Sequence, residues 1–445
     1  MKRVWLLVGA TVIAVVLVFV IQIRQSGLTP GEVFSGRPST LADTIAASRA
    51  SARVGERIDF LTAMPVGPAV GPDDRPLVAN VALADLDGNG LTDIVVADGA
   101  ANRVTWIRQA PAGTFTEQVL ADIAGPAHVQ PVDLDRDGDL DIAVASMGVL
   151  FPNNARIGAV IVLENDGRQS FTSRVLIDQV ARVSDVRAGD LDGDGDLDLA
   201  VAQFGYDQGE TRWMENLGGW RFESHVLQTL SGAINAEIAD VDGDRDLDIV
   251  SLVSQEWEEI YVFVNDGHGA FSPTRVFGAS NEDFGSSWIS LADLDRDGDA
   301  DVIYSNGDAF DYAPPTGRGW NGLQWLENRG DVRFVYHRIG DFSGASSPQA
   351  ADLDGDGDTD IAVVSAYNNW EQPDAQSLAW FENDGKMGFT LRPLATSPTH
   401  LITLAIGNID GDSRPDLVTG GMHMSYPYDR MSRVTVWTNH WGKGQ

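Results

Sequence analysis

Seven times the chain returns to one acidic nonapeptide, and no other feature restricts its fold as severely. The first copy is Asp85-Leu86-Asp87-Gly88-Asn89-Gly90-Leu91-Thr92-Asp93, and later copies begin at Asp133, Asp190, Asp240, Asp293, Asp352 and Asn408. They recur about every 50 residues, a period typical of architectures in which each repeat is one supersecondary unit. Short apolar runs flank the copies, such as Val81–Ala84 and Ile289–Ala292 before, and Ile94–Ala97, Ile142–Ala145, Leu199–Ala202 and Ile361–Val364 after. Apolar runs of this length bounded by Gly and Asp read as buried strands, so the nonapeptide is predicted to be a hairpin loop.

A second marker follows loops two to six. It is an apolar pair, then Glu-Asn or Val-Asn, a glycine and a phenylalanine: Leu163-Glu164-Asn165 with Phe171, Trp213 to Asn216 with Phe222, Val264-Asn265 with Phe271, Trp325 to Asn328 with Phe334, and Trp380 to Asn383 with Phe389. This reads as a third strand, a turn built on Asn and Gly, and a fourth strand. Four strands in each of seven repeats predict an all-β, seven-bladed β-propeller. The last repeat reaches Val436-Trp437-Thr438-Asn439 and has no Phe strand, whereas Arg57–Val66, ahead of the first loop, has the look of one. That segment is predicted to complete the last blade, a closure that removes the exposed edges of a linear array.

With loop, Asn turn and Phe strand in hand, the sequence resembles the FG-GAP/VCBS repeat family, whose best-known member is the propeller of integrin α-subunits, over residues 57–445. The resemblance implies the propeller and bound calcium. It leaves the ligand open, because the family includes adhesins, lectin-like modules and some polysaccharide lyases.

The residues argue for calcium on their own terms. Calcium takes six to eight hard oxygen ligands in irregular geometry, and carboxylates at loop positions 1, 3, 5 and 9 with the carbonyl at 7 can wrap one ion. The candidate ligands are Asp85, Asp87, Asn89 and Asp93; Asp133, Asp135, Asp137 and Asp141; Asp190, Asp192, Asp194 and Asp198; Asp240, Asp242, Asp244 and Asp248; Asp293, Asp295, Asp297 and Asp301; Asp352, Asp354, Asp356 and Asp360; Asn408, Asp410, Asp412 and Asp416. Up to seven Ca2+ ions are expected. The loops contain no His and the chain no Cys, which disfavours zinc. Glycine at positions 4 and 6 permits the tight curl. Arg136, Arg245, Arg296 and Ser413 depart from it, and loop seven, which begins with Asn408 and carries Arg414-Pro415, is expected to bind most weakly.

The loops hold nearly half of the 65 acidic residues behind a net charge of -34, so nucleic acid is not an expected partner. The absence of cysteine excludes disulfides and thiol chemistry. At the N-terminus, Lys2 and Arg3 precede an unbroken apolar run from Val4 to Ile21 with no small-x-small cleavage site after it. Residues 1–24 are read as a transmembrane signal anchor that meets the lipid bilayer through residues 4–23, residues 25–56 as a linker with a short helix near 41–53, and residues 57–445 as the propeller. The basic N-terminus belongs in the cytoplasm, which puts the propeller in the periplasm or outside the cell as a single-pass protein.

In an antiparallel blade the 1–2 loops share one face and the 2–3 loops the other. The 2–3 loops are long and aromatic, with Tyr206, Trp257, Tyr312, Tyr367, Trp370 and Tyr426, and are expected to meet a carbohydrate or protein ligand on the face opposite the acidic loops. The innermost strands alternate apolar with polar residues, among them His128, Arg187, Glu237 and Trp288, which predicts a hydrated central channel where these side chains converge. The expected function is a ligand-binding, adhesion or scaffold module. The alternatives are a polysaccharide lyase, for which a base and a cationic group are present, and a structural subunit of an envelope assembly.

Overall fold

Alternation of apolar and polar residues in the first strand of each repeat, and continuous apolar sequence in the second, decide how the sheets form. In six repeats the second strand is buried from end to end, as in Asp93–Asp98, Asp141–Ser146 and Asp360–Ser365. Such a strand needs sheet neighbours on both edges and packed layers on both faces. The computed structural model describes residues 52–442 apart from 72, 152, 256, 280–282, 310–316 and 424–425, and within them six of the seven repeats form four antiparallel strands in chain order. The third blade is typical: Arg182–Gly189, Asp198–Phe204, Glu210–Asn216 and Phe222–Gln228.

Seven such sheets form a β-propeller, as the repeat pattern predicts. Core residues interleave from neighbouring blades, so that Leu134, Val160 and Val162 of blade 2 pack with Val186, Leu199 and Val201 of blade 3. No sheet buries its faces alone, which is why the repeat must be iterated.

The ring is closed by the N-terminal strand. Leu61–Val66 pairs antiparallel with Val434–Asn439 and supplies the fourth strand of blade 7. The register differs by one residue from the expectation. Elsewhere the marker Phe lies opposite the marker Asn, as Phe222 does with Asn216, but in blade 7 Leu61 takes that place opposite Asn439. Phe60 turns instead into the core, edge-on to Trp380 and Trp441 at centroid distances of 5.4 and 5.0 Å.

The end of the segment read as a linker is not helical. Arg53–Val54 forms a short strand parallel to Thr390–Leu391, a fifth strand on the rim of blade 6. Among the described residues no helix is long and apolar enough to cross a membrane. The segment read as a signal anchor lies outside the described residues, as does Tyr312.

Candidate metal loops and ligand face

In all seven blades the ninth loop residue is the first residue of the second strand, and this fixes its environment. Asp93, Asp141, Asp198, Asp248, Asp301, Asp360 and Asp416 are buried. One oxygen of each accepts the N–H of loop position 2 and the other the N–H of the residue ending the third strand; for Asp198 these are Leu191 at 3.0 Å and Asn216 at 2.7 Å. Burial raises all seven carboxyls above the usual range despite these bonds, Asp141, Asp198 and Asp248 to about 6 and Asp301 and Asp360 to about 7. The other candidate ligands lie in the turn itself. In loop three Asp190 accepts from Gly193, Asp192 from Asp194 and Asp194 from Asp196, a run of side-chain-to-backbone turns that curls the chain round its own carboxylates.

Loop positions 4 and 6 take a left-handed backbone in every copy, including Arg136 (φ 61°), Arg245 (φ 82°), Arg296 (φ 64°) and Ser413 (φ 71°). The departures from glycine therefore leave the curl unchanged at some conformational cost. Two of them reach sideways. Arg136 lies 4.0 Å from Asp196 of the next loop, and Arg296 lies 3.9 Å from Asp358.

In each of the first five loops three acids bring an oxygen apiece within 4.8 Å of one another: Asp85, Asp87 and Asp93; Asp133, Asp135 and Asp141; Asp190, Asp192 and Asp194; Asp240, Asp242 and Asp248; Asp293, Asp295 and Asp297. Two loops already hold an internal cation. Arg108 is paired with Asp87 in loop one and Arg414 with Asp412 in loop seven.

The opposite face carries the 2–3 loops. Every large aromatic side chain exposed among the described residues is on it: Phe151, Trp257, Trp320 and Tyr426. Of the other predicted ligand residues, Tyr206, Trp288 and the buried Tyr367 line a cavity of about 180 Å³ at the channel mouth. Trp370 is not part of this surface. It is buried against His400, where packing between blades 6 and 7 takes precedence over exposure.

At the other end of the channel His128, Arg187 and Glu237 do converge, but around Asp185. Arg187 bonds Glu237 at 2.7 Å and Asp185 at 3.2 Å, and His128 Nδ1 stands 3.1 Å from Asp185. Burial, reinforced by Arg187, lowers His128 to about 4, so the imidazole is neutral. Burial raises Glu237 against the pull of Arg187. The group is closed on itself, with the guanidinium already committed to two carboxylates.

The FG-GAP-like repeat family matches the sequence four times, at residues 85–144, 149–201, 192–251 and 240–304, each match spanning an acidic loop of the described ring. This chain is an FG-GAP repeat propeller. No curated protein sequence matches it significantly. Among solved structures, BBS1N in complex with ARL6DN aligns with a TM-score of 0.52 and 12% identity over 87% of this chain and 99% of that one. The rhamnogalacturonan lyase YesX aligns with a TM-score of 0.46 and 14% identity over 85% and 76%, and a Bacillus licheniformis rhamnogalacturonan lyase, PL11, with 0.44 and 14% over 86% and 76%. At these identities the likeness to BBS1N is one of fold, and the weaker two carry no argument.

In this FG-GAP propeller the residue that sequence reasoning undervalued is the marker Asn. Read as turn chemistry, it is also a clamp. Asn328 donates to Ala300 O of its own loop at 3.2 Å and to Val241 O of the preceding blade's loop at 2.7 Å, while accepting from Gly330 N–H. Asn265 and Asn439 repeat the pattern to Leu191 and Leu353, and Gln109 reaches Ile409 across the closure. The signal was present as an Asn ending the third strand after six of the loops, with Gln109 in its place after the first, but its second partner lies in another blade.

Proposed function

We propose that this FG-GAP propeller is a calcium-stapled ligand-binding module, held at a membrane by residues 4–23 and facing the periplasm or cell exterior, with its ligand on the face opposite the acidic loops. The observation that carries the reading is the repeated convergence of three carboxylate oxygens within 4.8 Å on a single loop. Like charges this close repel unless a cation lies among them. The donors are all oxygen, from Asp and Asn side chains, which suits calcium and fits neither zinc nor a thiolate-bound metal. Positions 1, 3, 5 and 9 would hold the ion, and its contribution is structural: it neutralises the loop and ties the first strand to the second. The exposed aromatics and the open cavity on the other face support the ligand assignment.

The test is calcium titration of the purified full-length chain, with thermal unfolding followed with and without chelator. Saturable binding and a clear drop in melting temperature on chelation are expected, because a ligand bound only to the folded state stabilises it. An unchanged melting temperature with no metal bound would remove the staple.

A further inference from the structure

The first strands of neighbouring blades are stitched together in the channel by one recurring bond. In five of the seven blades the side chain five residues before the acidic loop accepts the backbone N–H that stands four residues before the loop of the next blade, blade 2 having His128 there without this bond. Asn80 accepts from Val129 at 3.2 Å, Asp185 from Ala236 at 3.1 Å, Asn235 from Ile289 at 3.3 Å, Ser347 from Leu404 at 3.0 Å and Thr403 from Val81 at 3.3 Å. Blade 5 breaks the pattern on both sides of the bond. Its acceptor is replaced by Trp288, and the corresponding donor position in blade 6 is Pro348, which has no N–H. Had only Trp288 changed, a backbone donor would lack its partner in the channel, which is costly where water is scarce. The two departures therefore fit each other.

In place of the bond, the half-buried indole of Trp288 lines both the cavity on the 2–3 loop face and a second space of about 220 Å³ next to it, and so separates the two. The walls include Phe204, Tyr206, Tyr367, Leu150 and Met422. The serine hydroxyls among them are engaged by the protein: Ser184 donates to Ala233 O at 2.8 Å, Ser287 to Ala345 O at 2.7 Å and Ser346 to Ile402 O at 2.8 Å. Arg182, which donates to the Leu150 and Phe151 carbonyls, Gln255 and Asp308 also reach the lining, but most of it is apolar, so a sugar buried here would regain only part of its lost hydration. An apolar ring would lose nothing and could pack on the indole. Ligands bind in concave, mainly apolar cavities, and places where a repeated pattern departs on both partners at once are candidates for function.

We propose that the channel mouth is a binding site for an aromatic or bulky aliphatic group, which enters past Tyr206 and packs on Trp288. The group is either a side chain presented by a protein partner or the ring of a free small molecule. The proposal rests on ligands being met on this face, but not on the cation.

The experiment titrates the full-length chain, calcium present, with the fluorescent apolar probe N-phenyl-1-naphthylamine. Competition uses a capped Gly-Gly-Trp-Gly-Gly peptide in one arm and free indole in the other. Saturable binding at one site is expected, at least tenfold weaker in Trp288→Asn. Displacement by the peptide alone identifies a side-chain source, and displacement by indole identifies a small molecule. Trp288→Asn combined with Pro348→Ala recreates the missing stitch, so the double variant should melt higher than either single variant while still failing to bind the probe, which separates lost binding from lost folding. Absence of saturable binding, equal binding by Trp288→Asn, or displacement by neither competitor overturns the site. Failed probe binding with calcium-dependent melting intact sinks the channel site alone, and the converse result sinks only the staple.

Discussion

The guanidinium of Arg108 lies against the Asp87 carboxylate, Nε donating to Oδ2, at the position where Glu164, Glu215, Glu327 and Glu382 stand in other blades. Just before the clamp residue, blade 1 thus replaces an acid with a base, and its first loop carries an internal cation. Arg414 does the same for Asp412 in loop seven. The two loops belong to the blades that meet where the ring closes.

The first prediction is that tight calcium sites number about five rather than seven, loops one and seven being the weak ones. At free calcium 100-fold above the dissociation constant, each occupied site contributes about 2.7 kcal/mol. Asp194→Ala should therefore lower the calcium-loaded melting temperature clearly, and Asp412→Ala or Asp87→Ala much less. Equal losses for all three, measured by calorimetry at fixed calcium, would show that the arginines do not substitute for the ion.

The buried ninth-position carboxyls predict a pH dependence that changes sign with calcium. Asp141, Asp198 and Asp248 are raised by burial to about 6, and Asp301 and Asp360 to about 7, from an ordinary value of about 3.9. A raised carboxyl contributes stability that is complete below its unfolded value and lost as pH rises through the folded one. The cation-free protein should therefore become more stable as pH falls from 8 to 5. His128 opposes this, because a lowered imidazole loses its contribution as pH falls from about 6.5 towards 4, but it is one group against five. Calcium needs the ionised carboxylates, so the loaded protein should lose stability over the same range. Parallel slopes in melts of desalted and calcium-loaded protein would contradict the assignment.

Asn328 tests the clamp. It is buried and bonds its own loop, the turn that follows and the neighbouring blade's loop. Asn328→Ala leaves the Val241 and Ala300 carbonyls without this donor, at about 1–3 kcal/mol for a buried group. Denaturant unfolding should show that loss even in saturating calcium. A loss that appears only without calcium would mean that the residue acts through the loop alone.

Phe60 tests the closure. Its ring, 6% exposed, is edge-on to Trp380 of blade 6 and to Trp441. Phe60→Ala should cost about 3–5 kcal/mol, as large core truncations do. A cost below about 1 kcal/mol in equilibrium unfolding would show that strand pairing at Leu61–Val66 holds the ring without this anchor.

Much of the ring was legible in the linear order of residues because the signals are local. A nonapeptide with carboxylates at alternate positions states the hairpin, its apolar flanks state two strands, and Asn-Gly-Phe states the other two. Even the closure could be read, from a Phe segment standing ahead of the first loop and missing after the last. What the order of residues could not determine lies between blades, where partners are about 50 or more residues apart in sequence. The second bond of Asn328, the pairing of Arg296 with Asp358 and the burial of Trp370 all depend on which sheet a blade packs against. The same holds for Trp288 and Pro348, each unremarkable alone. Hydrogen bonding within a blade follows local spacing, whereas donors and acceptors that meet across the channel are matched only once the seven sheets have closed into a circle.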